Sequence, residues 1–315
     1  MKDLRNLHRD FIRMKTYARR VSPVTLRGYE SAFDLLMKII PGVNLNNLNA
    51  YTFLDFFEQL EKRERTVGRN IVKIGVRKST IATYWSKLNQ FMIWLKANGH
   101  IEQNPFEDKI LEFPNVRYDD LKYLPQKKVE KIFSTINFNM QWKNNFVKKR
   151  NHLILTLALW GGLRKGEILG LQLLDIDLDK KQLTVRAETS KSRLTRRIPL
   201  NTLTIQAIQD YLQYRGEKKY TTDNLLVSNN KDKKFTEHGL KHLIAQLNEE
   251  SGVKFHIHQF RHTYAMNLIN SGYDCSMVKT LLGHRDIRMT EKYLRCMPTE
   301  IMQGNINKLS FENLI

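Results

Sequence analysis

His258-Gln259-Phe260-Arg261-His262, then Leu281-Leu282-Gly283-His284, then Tyr293, form the stretch from which the rest of this sequence is organised. Ile257, Phe260, Tyr264, Leu268 and Ile269 recur at roughly helical spacing, which predicts a helix carrying His258 and Arg261 on one face. A proton carrier and a fixed cation therefore stand side by side. Gly283 marks a break, so a second short helix can bring Tyr293, nine residues on from His284, back toward the first. Upstream, Gly161-Gly162-Leu163-Arg164-Lys165-Gly166-Glu167 sets another arginine at a helix start, with Glu167 three residues later on the same face. Lys191 lies in a basic hairpin.

The chain's 315 residues suffice for two ordinary domains, each with its own core. A formal charge of +20 and a pI near 9.8 point to a polyanionic partner, without separating DNA from RNA or an anionic membrane. No run of about 18 apolar residues occurs, and the opening Met-Lys-Asp-Leu-Arg lacks an apolar export core, so a cytoplasmic protein without a membrane partner is expected. Two cysteines, Cys275 and Cys296, suit a reducing compartment. No zinc-type Cys/His spacing and no Walker-type glycine loop appear, so neither metal nor cofactor is expected.

Residues 1–21, with seven basic and two acidic residues and few apolar ones, read as a solvated basic arm. Ser22-Pro23 then gives a cap and first-turn pair ahead of an apolar stripe through Leu26, Tyr29, Phe33 and Leu36. Leu54, Phe57 and Leu60 predict a second helix over 47–62, and Ile81, Leu88, Phe91 and Leu95 a third, capped by Ser79. Between them, residues 62–78 carry seven Lys or Arg against one Glu, which reads as a DNA-facing loop. Its candidate contacts are Arg63, Arg65, Arg69, Lys73, Arg77 and Lys78. The three helices form an all-helical domain over 22–106, and the acidic, weakly periodic 107–122 is a linker. Past residue 123 come the stripe Val129, Ile132, Phe133 and Ile136, and a helix apolar nearly all round at 153–160. Alternating runs follow at Ile176 and Leu178, at Leu183, Val185 and Ala187, and at Ile198 and Leu200. They predict a small antiparallel sheet whose last turn holds Lys191, Arg193, Arg196 and Arg197. Asn201 and Thr236 cap two more helices. The class expected is mainly α with a small antiparallel β-sheet.

Taken in order, Arg164, Lys191, His258, Arg261, His284 and Tyr293 resemble the active site of the tyrosine recombinases, or phage integrase family, in an Xer-like two-domain form. The resemblance covers roughly residues 20–298. It implies that the helical domain is a core-binding domain and that 123–298 is an α+β catalytic domain. It also implies that the apolar tail 299–315 docks on a neighbouring protomer, although packing in cis is equally open. Glu167 would brace Arg164, and Lys191 and Arg193 would reach DNA from the hairpin. Double-stranded DNA, bound by a tetramer on two sites, is the implied partner.

Breaking a phosphodiester without a metal needs a nucleophile, neutralisation of the non-bridging oxygens and a proton for the departing 5′ oxygen. A free phenol is only ~0.1% ionised at neutral pH, a shortfall worth roughly 4 kcal/mol. Two nearby guanidiniums would favour the phenolate and the phosphate alike. With the resemblance, Arg164 and Arg261 are the clamp, Tyr293 the nucleophile forming a 3′-phosphotyrosine, and Lys191 the donor to the leaving hydroxyl. His258 would accept the phenol's proton and His284 would donate to a non-bridging oxygen. His262 is set aside as structural or as support for its neighbours. The function expected is site-specific recombination, in mobile-element integration and excision or in dimer resolution. A type IB topoisomerase-like enzyme and a non-catalytic basic regulator are the alternatives.

Overall fold

The structure, a computed structural model, describes residues 3–68, 70–115, 123–229 and 231–296, with Thr299 and Gln303. The chain divides into two compact units, Met1–Tyr118 and Asp119–Ile315. Among the described residues no helix is long and apolar enough to cross a membrane.

The first unit holds α1 (Leu4–Tyr17), α2 (Pro23–Ile39), α3 (Ala50–Lys62), the strands β1 (Glu64–Val67) and β2 (Ile71–Ile74), and α4 (Lys78–Ala97). The Ser22 hydroxyl accepts from the Thr25 N–H, as a cap ahead of Pro23 should. α1 corrects the reading of residues 1–21 as a solvated arm: Leu4, Leu7, His8 and Phe11 are buried among α2 and α4. Four positions at helical spacing sufficed to bury one stripe, while the basic residues that dominate the composition line the other side. The domain is therefore a four-helix unit with a core rich in Phe, in which Phe33 and Phe91 meet edge to face.

Residues 62–78 are a second correction. They form an antiparallel hairpin, with Arg65 opposite Lys73 and Thr66 opposite Val72, and not a loop. Gly75 closes it by donating to the Arg63 carbonyl at 2.9 Å, with a left-handed φ of 66°. A side chain there would strike the Glu61 carbonyl. The stretch read as a linker from 107 onward is partly anchored as far as it is described. Leu111 is buried, and Phe113 meets the Trp85 ring edge-on at 5.1 Å. Residues 116–122, Arg69 and nearly all of the tail 299–315 lie outside the described residues.

The second unit is built on α6 (Asn145–Trp160), whose Leu153, Ile154, Leu155, Leu157 and Ala158 are fully buried. It follows α5 (Gln126–Ser134) and is succeeded by the short α7 (Lys165–Gly170). β3 (Ile176–Asp177), β4 (Gln182–Val185) and β5 (Arg196–Pro199) pair antiparallel in that order. α8 (Thr202–Glu217) and α9 (Glu237–Ser251) come next; the Asn201 and Thr236 side chains cap them. α10 (Ile257–Asn270), α11 (Cys275–Leu282) and α12 (Arg288–Leu294) complete the unit. α6 packs on α8 and α10, and α10 to α12 contact one another. Arg196 and Arg197, expected in the turn, are strand residues; only Lys191 and Arg193 stay in the connection.

Candidate active site

Two chain breaks bring the site together. Gly162, just past α6, has φ 59° and no room for a side chain, since a Cβ would lie 2.3 Å from the Tyr264 ring. Its carbonyl accepts from Arg261 Nη1 at 2.6 Å. Gly283, ending α11 with φ 65°, sends its carbonyl to Arg164 Nη2 at 3.3 Å. Between these two, the Leu282 carbonyl takes Arg261 Nη2 at 2.7 Å and Arg164 Nη1 at 3.5 Å. Two guanidiniums from distant parts of the chain thus share one acceptor.

Glu167 organises the cations from beneath. Its carboxylate caps the Arg164 N–H at 2.9 Å, pairs with Arg164 Nη1 at 2.9 Å, and receives Arg196 at 2.7 and 3.0 Å. Burial alone would raise its pKa, but the hydrogen bonds and charge of Arg196, then those of Arg164, hold it at about 2. Arg196 also donates to the Leu281 carbonyl at 2.9 Å. Arg261, 1% exposed, has its pKa pulled down to about 9 by burial and by Arg164. It remains a cation at neutral pH.

Tyr293 returns on α12 and is buried, and its hydroxyl shares a hydrogen bond of 2.8 Å with His262 Nδ1. His262, set aside in the sequence reading, is therefore the phenol's own partner. It lies one turn beyond His258, whose ring it meets edge-on at 4.8 Å. Burial raises the phenol to about 12, against the charges of Arg261 and Arg164. Burial, then His258 and Arg261, lower His262 to about 4, so the imidazole is neutral at pH 7. His258 is lowered by its low-polarity surroundings first, then by Arg261 and Arg164, though the residue is exposed overall.

His284 is buried, bonds the Thr290 hydroxyl through Nδ1 at 2.9 Å, and is lowered to about 3 by burial and the arginines. Lys191 is exposed in the β4–β5 connection, close enough for its charge to bear on His258. Arg193 is exposed nearby, with a φ of 54°. All six residues of the sequence set lie in this unit, and the site adds His262, Arg196 and Thr290, which the reading missed. The strand period carried a signal for Arg196, because it shares a face with the buried Ile198. The other candidate DNA contacts belong to the first unit. Lys73, Arg77 and Lys78 are exposed there, and Arg63 and Arg65 are half-buried.

A profile of the phage integrase family matches residues 122–300. The tyrosine recombinase of Thermosipho africanus is 27% identical over 284 residues, 90% of this chain and 93% of that one. The tyrosine recombinase XerC of Staphylococcus aureus is 26% identical over 96% of both chains. Among solved structures, the Tn1549 transposon integrase in complex with transposon right end DNA superimposes with a TM-score of 0.74 at 18% identity, covering 98% of this chain and 99% of that one. A lambda integrase dimer bound to a core site gives 0.70 at 15%, over 93% and 95%. The chain belongs to the phage integrase family, the tyrosine recombinases. It is a site-specific DNA recombinase, an enzyme that cleaves and rejoins DNA strands.

Proposed function

We propose that Tyr293 attacks a DNA phosphate held by Arg164 and Arg261, giving a 3′-phosphotyrosine. The observation that carries this is the Leu282 carbonyl shared by both guanidiniums, with the phenol feeling both charges. Those carbonyls are neutral acceptors, which a phosphate's anionic oxygens would replace with stronger bonds. The bond from Tyr293 Oη to phosphorus forms as the bond to the 5′ oxygen breaks. The phenol's proton passes to His262, its partner, with His258 beside it, and Lys191 supplies the proton that the 5′ oxygen takes. His284, fixed by Thr290, donates to a non-bridging oxygen. Attack by the 5′ hydroxyl of a partner strand reverses the step without an external energy source, because the phosphotyrosine retains the energy of the broken bond.

Duplex DNA is also gripped by Arg63, Arg65, Lys73, Arg77, Lys78 and Arg193, with Arg69, outside the described residues, in the same set. Four copies act on two sites in the cytoplasm, in mobile-element integration and excision or in dimer resolution. The test is trapping on random duplex followed by mapping of the attached ends. A covalent adduct should form in the presence of chelator and disappear in Tyr293→Phe. An adduct that survives that substitution would remove Tyr293 from its role. Two-site plasmids should give deletion or inversion; relaxation alone would favour the topoisomerase-like alternative.

A further inference from the structure

Lys191 stands on an irregular connection, residues 186–195 between β4 and β5, and a lysine stem is itself flexible. Delivering a proton to one departing oxygen needs the donor within hydrogen-bond reach of it. Whatever fixes the connection therefore bears on the chemistry. Side chains alternate there: Ser190 and Ser192 are 3% and 5% exposed, while Lys191 between them is exposed. Serine is ordinarily a surface residue, and a buried hydroxyl needs partners.

These two have them. Ser190 Oγ and Ser192 Oγ lie 2.7 Å apart, and Ser190 Oγ donates to Glu167 Oε1 at 3.4 Å. An ionised carboxylate only accepts, which fixes the order: Ser192 donates to Ser190, and Ser190 to Glu167. From the other side Arg285 Nε, next to His284, donates to the Ser192 carbonyl at 2.9 Å. The Arg193 N–H closes the turn on the Ser190 carbonyl at 3.0 Å. Arg193 takes its left-handed φ of 54° there, a conformation that persists only where the surroundings hold it. The upstream arm is seated as well. A Cβ at Gly170, which ends α7, would lie 2.7 Å from the Thr189 methyl carbon. Arg186 donates to the Gly170 carbonyl at 3.0 Å and pairs with Asp175 at 2.9 Å. α7 thus carries both the brace of Arg164 and the seat of the Lys191 turn.

We propose that Ser190, Ser192 and Arg285 are positioning residues for Lys191, setting its turn against Glu167 and the His284 segment so that the ammonium meets the departing 5′ oxygen. The inference rests on the reading of Lys191 as the proton donor. Glu167 then refers two groups to a single carboxylate: the arginine that holds the phosphate and the lysine that protonates its leaving group. The serines and Arg285 act through Lys191 and not on the phosphate.

The experiment follows single-turnover cleavage by full-length protein of two duplexes bearing the mapped site, one natural and one with sulfur replacing the 5′ bridging oxygen of the scissile phosphate. As Tyr293 Oη bonds to phosphorus, the natural leaving oxygen takes a proton. Sulfur departs as a thiolate without one, a thiol having a pKa of only about 8.5. Lys191→Ala should slow cleavage of the natural duplex by about 10²- to 10⁴-fold, the reach of general acid catalysis, and cleave the sulfur duplex near the wild-type rate. Ser190→Ala/Ser192→Ala and, separately, Arg285→Met should give the same pattern at about 10- to 10²-fold, the cost of a misplaced group. Equal slowing of both duplexes in these variants, with Lys191→Ala still restored by sulfur, would overturn the positioning role and leave Lys191 as the donor. Wild-type rates for both variants on the natural duplex would overturn it too. Lys191→Ala that is equally slow on both duplexes would remove Lys191 as the donor, and the positioning role with it.

Discussion

The two units bury different things. Among the described residues the first encloses no Lys, Arg, Asp or Glu; its buried polar residues are His8 and Asn104. The second encloses Arg150, Glu167, Asp175, Arg196, Arg215 and Arg261, together with His284. Buried charge is costly unless paired. A core that needs only to hold its shape avoids it, as the helical unit's core of Phe and Leu does. In the second unit some of that cost is met by structural partners. Arg150 stacks over Phe235 at 4.1 Å and donates to Asn151 and the Val227 carbonyl. At the site the balance is left open. Arg164 and Arg196 pair with the single carboxylate of Glu167, and Arg261 feels its charge while bonded, among the described residues, only to carbonyls, an excess of cation suited to an arriving anion.

The largest effect should come from separating those two kinds of buried arginine. Arg261→Met is expected to slow single-turnover cleavage by about 10²- to 10³-fold, the cost of one preorganised donor, while the melting temperature stays level or rises. Arg150→Met should do the reverse, sparing cleavage and losing stability, because it removes a cation stacked on Phe235 and relieves no repulsion of the kind Arg164 and Arg196 exert on Arg261. If both variants lost stability equally and kept equal activity, the distinction drawn between the two arginines would be wrong.

What the sequence disclosed follows the same line. Arg164, His258, Arg261, His284 and Tyr293 could be singled out by their resemblance, taken in order, to the tyrosine recombinase site, while local helical spacing, which survives folding, predicts only that His258 and Arg261 share a face. His262 was hidden by its neighbour: position 262 lies a full turn beyond His258, but its bond to Tyr293 spans 31 residues and depends on how α12 returns. Arg196 was hidden by composition, since four cations near a turn look solvated until the strand's period assigns each a side. The same bias toward charge concealed α1, whose buried stripe is four residues among many basic ones. It also concealed the hairpin, where apolar Val72 and Ile74 flank Lys73 on the opposite face of the strand.

Acid should separate the units next. His262 and His284 are held at about 4 and 3, below the ordinary histidine value near 6.5. Their lowered values mean that the unfolded chain takes up protons first. The stability they contribute is whole above about pH 6.5 and is lost as the pH falls toward 4. His258 and His152 shift in the same direction, so the second unit carries four such groups. The first carries His8, at about 4. Between pH 7 and 4.5 each strongly shifted histidine should cost about 2–3 kcal/mol. Peptide-resolved hydrogen exchange, corrected for intrinsic rates, should show protection of α10–α12 falling further than that of α1–α4. Equal losses in the two units would contradict the assignment.

The smallest effect isolates the one titrating group buried in the helical core among the described residues. His8 stacks on Phe33 at 3.9 Å, nearly coplanar, and meets Phe91 edge-on at 5.0 Å, so its ring is packed as an aromatic residue would be. Burial is what lowers its pKa, and the cost of charging it there is the same physics that acts on His284. The difference is that, among the described residues, no hydroxyl bonds the His8 ring as Thr290 bonds that of His284. His8→Phe keeps the ring and removes the proton site. At pH 7 the stability of the first unit should change by less than about 1 kcal/mol, as for a near-isosteric swap. Its exchange protection should become flat from pH 6.5 to 4, while the second unit's acid response is unchanged. A variant whose helical unit still loosens on acidification would place the sensitive group elsewhere in α1–α4.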